Sequence, residues 1–451
     1  MEEKHGFSSK IGFIFAAASS AVGLGNLWRF PYLAAKYGGG TFLFVYIVLA
    51  VTFGFGLMIT EIGIGRKTGK TCSSAYTTLD KRFGFCGVLG TLIPFIITPY
   101  YCLIGGWVTK YAFTFMTQSV ASFSNDTFFT SYITKTGEPL IFLAIFLAVA
   151  AFVVMRGVED GVEKASMILM PLLIVLSVLI AGYTITRHGA MGGVVYYLKP
   201  NFSAINIKTI LAAMGQLFYS MSLAMGIMIT YGSYMKKDDH LEESVRQVEI
   251  FDTLIAFIAG LMIIPAVYVF SGGDQSAMSA GPGLMFITLP KVFNTLPMGR
   301  IFGFVFFMLV FFAALTSAIS LIETLVSIVM EKFGTGRAKT TAMIALYTFL
   351  FAIPSSLGFG IWSGIAPLGM SILDFWDFTS NSVLMPILAF ATCVLVGYVI
   401  KPKAIIEEVE QNGHVFKSKT LYIVVVKYIA PIGLFGILVT SVLAGFGLLT
   451  W

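Results

Sequence analysis

The chain has 451 residues, 57% of them apolar (AVILMFWYC) and only 12% charged, about half the roughly 25% charged content of ordinary globular domains. A water-soluble fold of this length cannot cover its surface with so few charges. Charge-free runs such as 37–60, 83–107 and 301–322 exceed the roughly 18–20 residues needed to cross a bilayer. The net charge of +6 is scattered through short loops rather than gathered into a nucleic-acid footprint. Four cysteines without paired spacing suggest neither a disulfide framework nor a metal knuckle.

The expected fold is an all-α polytopic membrane protein, a single transmembrane domain over 1–451. Eleven hydrophobic segments follow in chain order: 11–34, 38–65, 86–116, 139–155, 164–186, 206–233, 246–270, 299–330, 340–358, 369–398 and 420–449. The first is too long for a cleavable signal and carries Arg29 and Pro31 at its far end. With the N-terminus inside, the inner connections hold 19 Lys or Arg and the rest of the chain the remaining 10. That bias predicts a multi-pass protein of the plasma (inner) membrane, N-terminus cytoplasmic and C-terminus extracellular or periplasmic.

Two segments depart from the apolar norm. The first contains Ser19-Ser20-Ala21-Val22-Gly23-Leu24-Gly25-Asn26, and the sixth contains Gln216 to Ser222. Glycine destabilises a helix by about 1 kcal/mol per site, so both stretches are expected to unwind at the midplane. Unwound backbone is tolerated in a membrane only where it is buried or lines a cavity. The two are corresponding members if 11–186 and 206–398 are five-helix halves, with 420–449 as one extra helix. Paired interruptions of this kind point to a central site between inverted repeats. Small residues also serve simply to let helices pack closely, but a matched pair carrying Asn26 and Gln216 favours the site.

Ionisable groups inside spans are costly and mark function. Arg29 and Asp374, at similar depth near one end of their spans, are expected to pair above the site. Glu61 is expected to take backbone amides of an unwound helix, and Asp252 lies about six residues into span seven. In span eight, Thr316 and Ser317 follow Ala313 at three and four residues and so share one helix face. This is an oxygen cluster suited to a small hard cation, although such hydroxyls commonly back-bond within their own helix. All four histidines fall in loops or the terminus, and no nucleophile elbow or phosphate loop is present. The chain is not expected to be an enzyme.

The run Val22-Gly23-Leu24-Gly25-Asn26-Leu27-Trp28-Arg29-Phe30-Pro31, followed by Gly38-Gly39-Gly40, resembles the first-span signature of the neurotransmitter:sodium symporters. The likeness extends over nearly the whole chain and is strongest to the bacterial amino-acid members. It implies two inverted five-helix repeats with helices 1 and 6 unwound, and sodium-driven import of an amino acid by alternating access. A substrate-gated ion channel or amino-acid sensor on the same fold is the alternative.

By that resemblance, one of two sodium ions is held by Ala21, Asn26, Ser220 and Asp252. The other is held by Ser19, Val22, Ala313, Thr316 and Ser317. The substrate lies against Ala21, Gly23, Leu24, Gly25, Ser220 and Tyr101 under a Tyr219 lid, its side chain meeting Ile97, Ser222, Met225, Ser317 and Leu321. Arg29 and Asp374 form the outer gate. Lys4 and Glu331 take the inner-gate positions, with Phe7 where a bacterial member has tryptophan. Gly161 and Pro171 match a glycine–nine–proline motif whose unwinding admits water to the second ion.

Two departures from the family pattern carry information. Gly23 stands where monoamine transporters carry aspartate, which leaves room for a substrate carboxylate and implies an α-amino acid. Asp252 stands where the animal chloride-dependent members, and a bacterial member too, carry asparagine; Tyr46, Gln216 and Ser220 match the chloride pocket, but Ala256 lacks its serine hydroxyl. A fixed carboxylate would balance the sodium charge, so no chloride is expected. The expected partners are the amino acid, sodium and the lipid bilayer, with no nucleic acid. Met225, with Ile97 and Leu321, implies an apolar side-chain site for a hydrophobic or aromatic L-amino acid.

Overall fold

A computed structural model describes residues 6–272 and 283–448. Among these, nine helices are long and apolar enough to cross a membrane, and ten if the bent pair α1 (Lys10–Ala21) and α2 (Gly25–Lys36) is taken as one span. The others are α3 (Gly40–Thr68), α5 (Lys81–Thr117), α7 (Glu138–Met155), α8 (Val158–Ile185), α12 (Leu241–Phe270), α14 (Gly299–Phe333), α15 (Arg337–Leu357), α16 (Ile372–Val399) and α18 (Lys419–Gly445). The remaining expected span, 206–233, is divided into α10 (Ile207–Ser220) and α11 (Ile227–Gly232), each too short to cross alone. The expected end of the last span at 449 lies outside the described residues.

Short helices fill connections that look merely polar in sequence: α4 (Cys72–Leu79), α6 (Asp126–Ile133), α9 (Ala190–Leu198), α13 (Leu289–Thr295) and α17 (Lys403–Val409). Their starts are set by local chemistry, as in α6, where the Asn125 side chain accepts from the amides of Thr127 and Phe128. Span five begins at Val158 rather than near 164, because Val158–Glu163 continues the helix as a π-wound turn. Hydropathy misses this turn because it carries Glu159, Asp160 and Glu163.

The core is aromatic and centred on α5 and α14. Phe307 stacks on Tyr111 and Phe115 at 5.1 and 5.3 Å, and each such pair adds about 0.5–1.5 kcal/mol beyond area burial. These long helices, with α7 and α15 packed beside them, form a rigid wall. The two broken spans lean against that wall with α3 and α12, which puts the irregular backbone at the centre of the molecule.

Candidate functional site

The first break is short. Val22 is extended (φ −71°, ψ 101°), and α1 and α2 meet at 50°. The chain restarts when the Gly23 amide donates to Asn26 Oδ1 at 3.1 Å. The second break spans Met221 to Gly226, with Ser222, Ala224 and Gly226 at φ of 53°, 57° and 73°. Left-handed backbone at non-glycine residues is strained by about 1–3 kcal/mol each, so the surroundings must hold it. Glu61 does part of this, accepting the Ala224 amide at 2.7 Å. Ser222 Oγ donates to the Ser20 carbonyl at 3.0 Å, tying the two breaks together.

Between the breaks lies a narrow cavity of about 30 Å³. All twelve residues assigned above to the substrate line it, from Ala21 and Gly23 through Tyr101 and Tyr219 to Ser317 and Leu321. Ser20 and Ile227 line it as well, and the sequence reading missed both. Their signal was position alone, since each adjoins a break. The close approach at Gly23 is sterically enforced: a Cβ there would meet Ser317 Oγ at 2.6 Å and Tyr101 Oη at 3.0 Å. The buried Tyr101 hydroxyl makes no well-formed hydrogen bond among the described residues, so the cavity wall presents an unsatisfied polar group.

Two oxygen clusters flank this cavity. In the first, Asp252 receives Asn26 Nδ2 at 2.8 Å and Ser220 Oγ at 2.9 Å on one oxygen, and Tyr46 Oη at 3.3 Å on the other. The carboxylate is fully buried, and Ala21 lines the adjoining cavity. Gln216 donates to the Gly25 carbonyl at 2.9 Å, while its Oε1 has no hydrogen-bond partner among the described residues. Ala256 is buried and offers no hydroxyl.

In the second cluster, Thr316 Oγ1 lies 3.1 Å from the Ala313 carbonyl, and Ser317 Oγ lies 3.4 Å from that of Val22. The Ser19 side chain turns away, bonding Ser166 at 2.9 Å, which leaves its backbone as the group available here. Carbonyl and hydroxyl oxygens without imidazole or thiolate are a donor set for a hard cation, not for zinc or copper.

The gate expectation needs one correction. Asp374 is exposed and bound to its own helix start: its amide donates to Ser371 Oγ at 3.1 Å, and Ser371 Oγ donates back to its carboxylate at 2.7 Å. The acid that shares a vestibule with Arg29 is Asp377, one turn later, held by Asn381 Nδ2 at 2.6 Å. The signal was legible, because Ser371 followed three residues later by an acid is a capping pattern. Arg29 itself lies over the Tyr219 ring at 5.1 Å.

Of the inner-gate residues, Lys4 lies outside the described residues. Glu331 accepts the Thr71 amide at 2.8 Å. Phe7 is buried among Phe13, Tyr231 and Tyr234. Gly161 falls in the π-wound turn and Pro171 inside α8.

Comparison with known proteins agrees with this architecture. The model of the sodium:neurotransmitter symporter family matches residues 4–131 and 122–446. The chain is 34% identical to the uncharacterised sodium-dependent transporter YhdH of Bacillus subtilis over 91% of its own length and 92% of that protein's. It is 26% identical to the creatine transporter of Torpedo marmorata, over 87% and 71%. The crystal structure of MhsT in complex with L-phenylalanine superimposes with a TM-score of 0.86 at 35% identity, covering 97% of this chain and 99% of that one. A helical chain broken twice around one central cavity, matched by this family from end to end, is a multi-pass, sodium-coupled transporter of a small molecule and not an enzyme: it belongs to the sodium:neurotransmitter symporter family.

Proposed function

We propose that the chain imports a hydrophobic or aromatic L-amino acid with two sodium ions, without chloride, by alternating access between two inverted five-helix halves. The observation that carries this reading is the cavity at Gly23. Its wall leaves no room for a side-chain carboxylate and offers the Tyr101 hydroxyl beside bare backbone, an arrangement that suits a substrate bringing its own carboxylate. Ile97, Met225, Ile227 and Leu321 supply apolar lining, in keeping with the L-phenylalanine in complex with the similar MhsT.

The Asp252 cluster serves as the first sodium site and the Ala313–Ser317 cluster as the second. A buried carboxylate within hydrogen-bond reach of Asn26, Ser220 and Tyr46 supplies the negative charge that chloride would otherwise bring. Arg29 and Asp377 close the outer path over Tyr219. The excess of Lys and Arg in the connections on the Phe7 side supports a cytoplasmic N-terminus and the plasma membrane of the cell as the location.

The test is uptake of a radiolabelled amino-acid panel into proteoliposomes under a sodium gradient, with and without chloride, for wild type and Asp252→Asn. The expected result is saturable, sodium-driven uptake of hydrophobic amino acids that ignores chloride in the wild type. In the variant, uptake is lost or acquires a chloride requirement. Wild-type uptake that needs chloride would remove the role given to Asp252, and no sodium-driven uptake of any amino acid would overturn the substrate class.

A further inference from the structure

The loop 233–240 between α11 and α12 is laced to the connection 410–418 that leads into α18. Asn412 Nδ2 donates to the Lys237 carbonyl and to Asp238 Oδ1, both at 3.0 Å. Lys237 Nζ reaches Glu408 at 2.7 Å, and Glu242 accepts the amides of Lys417 and Ser418 at 2.9 and 3.0 Å. Inside this lacing two of the chain's four histidines meet. The rings of His240 and His414 are centred 4.5 Å apart and tilted by 43°, and both residues are half-buried. Lys236 on the same loop holds the Ser8 carbonyl at 2.6 Å, so the loop also secures the chain ahead of α1. Among the described residues no group of three His, Cys, Asp or Glu is placed to hold a metal ion, which leaves the proton as the ligand the pair can take.

The hydrogen bonds fix where the protons sit. His240 caps α12, its Nδ1 accepting the Glu243 amide at 3.4 Å; an amide only donates, so Nδ1 is bare and the ring is neutral. His414 Nε2 lies 3.3 Å from the Asp238 carbonyl, which only accepts, so that nitrogen carries a proton and Nδ1 can take another without breaking the contact. A proton on His240 instead removes the cap, puts a charge at the positive end of the helix and faces any charge on His414. Around the pair stand Glu242 and Glu243 of α12, Lys10 of α1, Asp238 and Asp239 of the loop, and Lys417 of the connection. Lys10 is taken up by Glu243 at 2.6 Å. Burial and His414 hold the His240 imidazole below its ordinary range, against the pull of Glu243 and Glu242. Once released, the loop carries an ordinary imidazole that binds protons more tightly. The lacing is therefore at full strength above about pH 6.5 and is lost as pH falls through the lowered value. We propose that His240 and His414 form a proton-operated latch: acid on the Phe7 side uncaps α12, releases the loop 233–240 and frees that side to open. The opening step belongs to the alternating-access reading given above, whereas the latch itself is testable without transport.

The experiment uses the purified full-length protein in nanodiscs. Nitrogen-15 NMR of labelled histidine follows each imidazole through a pH titration, with single replacements to assign the signals. His240 is expected to protonate only below the ordinary imidazole value of about 6.5. Hydrogen exchange is then compared at about pH 7.5 and about pH 5.5, on either side of that value, after correction for the intrinsic rate. In the wild type the segments 236–246 and 410–418 are expected to exchange about three- to tenfold faster in acid, the size of a lost helix cap. His240→Asn keeps a side-chain cap and has no imidazole to charge, so it is expected to fold normally and to abolish that acceleration. His414→Gln removes the facing ring, and His240 is expected to protonate at higher pH than in the wild type. Wild-type exchange that acid leaves unchanged, an acceleration that persists in His240→Asn, or a His240 ring that protonates at or above the ordinary value would each overturn the latch. None of these results touches sodium-driven uptake, so the latch and the transport reading fail separately.

Discussion

The two ways out of the central cavity are built differently. On the vestibule side, Tyr219 lines both the cavity and an outer space of about 190 Å³, which Arg29, Asp377 and Asn381 also line. One half-buried ring with a guanidinium over it separates the two, and a cation–π contact at an exposed site contributes only about 0.5–1 kcal/mol. On the Phe7 side, closure is layered. Phe7 is caged by three rings, and Glu163 takes the Ser8 amide and hydroxyl, both at 2.7 Å, and the Ser9 hydroxyl at 2.9 Å. Lys236 holds the Ser8 carbonyl at 2.6 Å. Tyr234, Ser327 and Arg337 gather on the buried Glu323. The difference teaches which way this conformation is poised to open: toward the vestibule by moving one side chain, toward Phe7 only by releasing several polar contacts together.

The firmest part of the Phe7 side is the ion pair between Arg66 on α3 and Glu408 on α17. It is bonded through Nε at 2.9 Å and also through the Glu408 carbonyl, with side chains 0% and 1% exposed. Lys237 joins Glu408 at 2.7 Å. Removing Arg66 leaves the buried Glu408 with only the half-exposed Lys237 as its ionic partner, so Arg66→Ala is expected to destabilise the protein by about 3 kcal/mol. The loss should appear as reduced monodisperse yield and a lower unfolding temperature in detergent. The apolar double replacement Arg66→Met with Glu408→Leu should recover most of it. If the single variant were as stable as wild type, the Phe7 side would be no firmer than the vestibule.

Next in size is the strap that Glu163 holds. The carboxylate is 1% exposed, and hydrogen bonds to a charged group contribute about 1.5–3 kcal/mol. Glu163→Ala abolishes all three contacts. Glu163→Gln keeps an oxygen for the Ser8 amide and presents its amide nitrogen to two hydroxyls that can rotate to accept. Hydrogen exchange of the segment 7–20 is therefore expected to rise most in the alanine variant and to an intermediate degree in the glutamine variant, with 210–220 beside the vestibule unchanged. Equal acceleration on both sides would erase the asymmetry.

Much of this was legible beforehand, and unevenly. The spans were readable because lipid-facing sequence is plainly apolar, and the two breaks because Gly, Ser, Asn and Gln are conspicuous inside such runs. The part of the cavity lining that the breaks supply followed from the same positions, whereas Ile97, Tyr101 and Leu321 on α5 and α14 were indicated by the family resemblance alone. The acid opposite Arg29 was misread because Asp374 and Asp377 sit one turn apart in Leu373-Asp374-Phe375-Trp376-Asp377, and only the Ser371 cap tells which is occupied locally. Arg66 and Glu408 are 342 residues apart, and no local pattern joins two such charges. Glu163 was hidden because a π-wound, acidic turn reads as a loop by hydropathy.

The smallest effect on stability, and the sharpest on rate, belongs to Tyr219. Its ring faces open space in the cavity and in the vestibule, so truncation removes fewer packing contacts than in a filled core. Tyr219→Ala is expected to cost about 1 kcal/mol of stability, well below the loss in Arg66→Ala. With the single partition gone, however, a bound amino acid no longer waits for that ring to move. Dissociation of radiolabelled substrate toward the vestibule should quicken by about tenfold, since changes at a binding site act mainly on the off-rate. Tyr219→Phe keeps the partition and should dissociate at nearly the wild-type rate. If Tyr219→Ala released substrate no faster than wild type, the rate-limiting barrier on the vestibule side would lie elsewhere, with Arg29 and Asp377 as the remaining groups able to supply it.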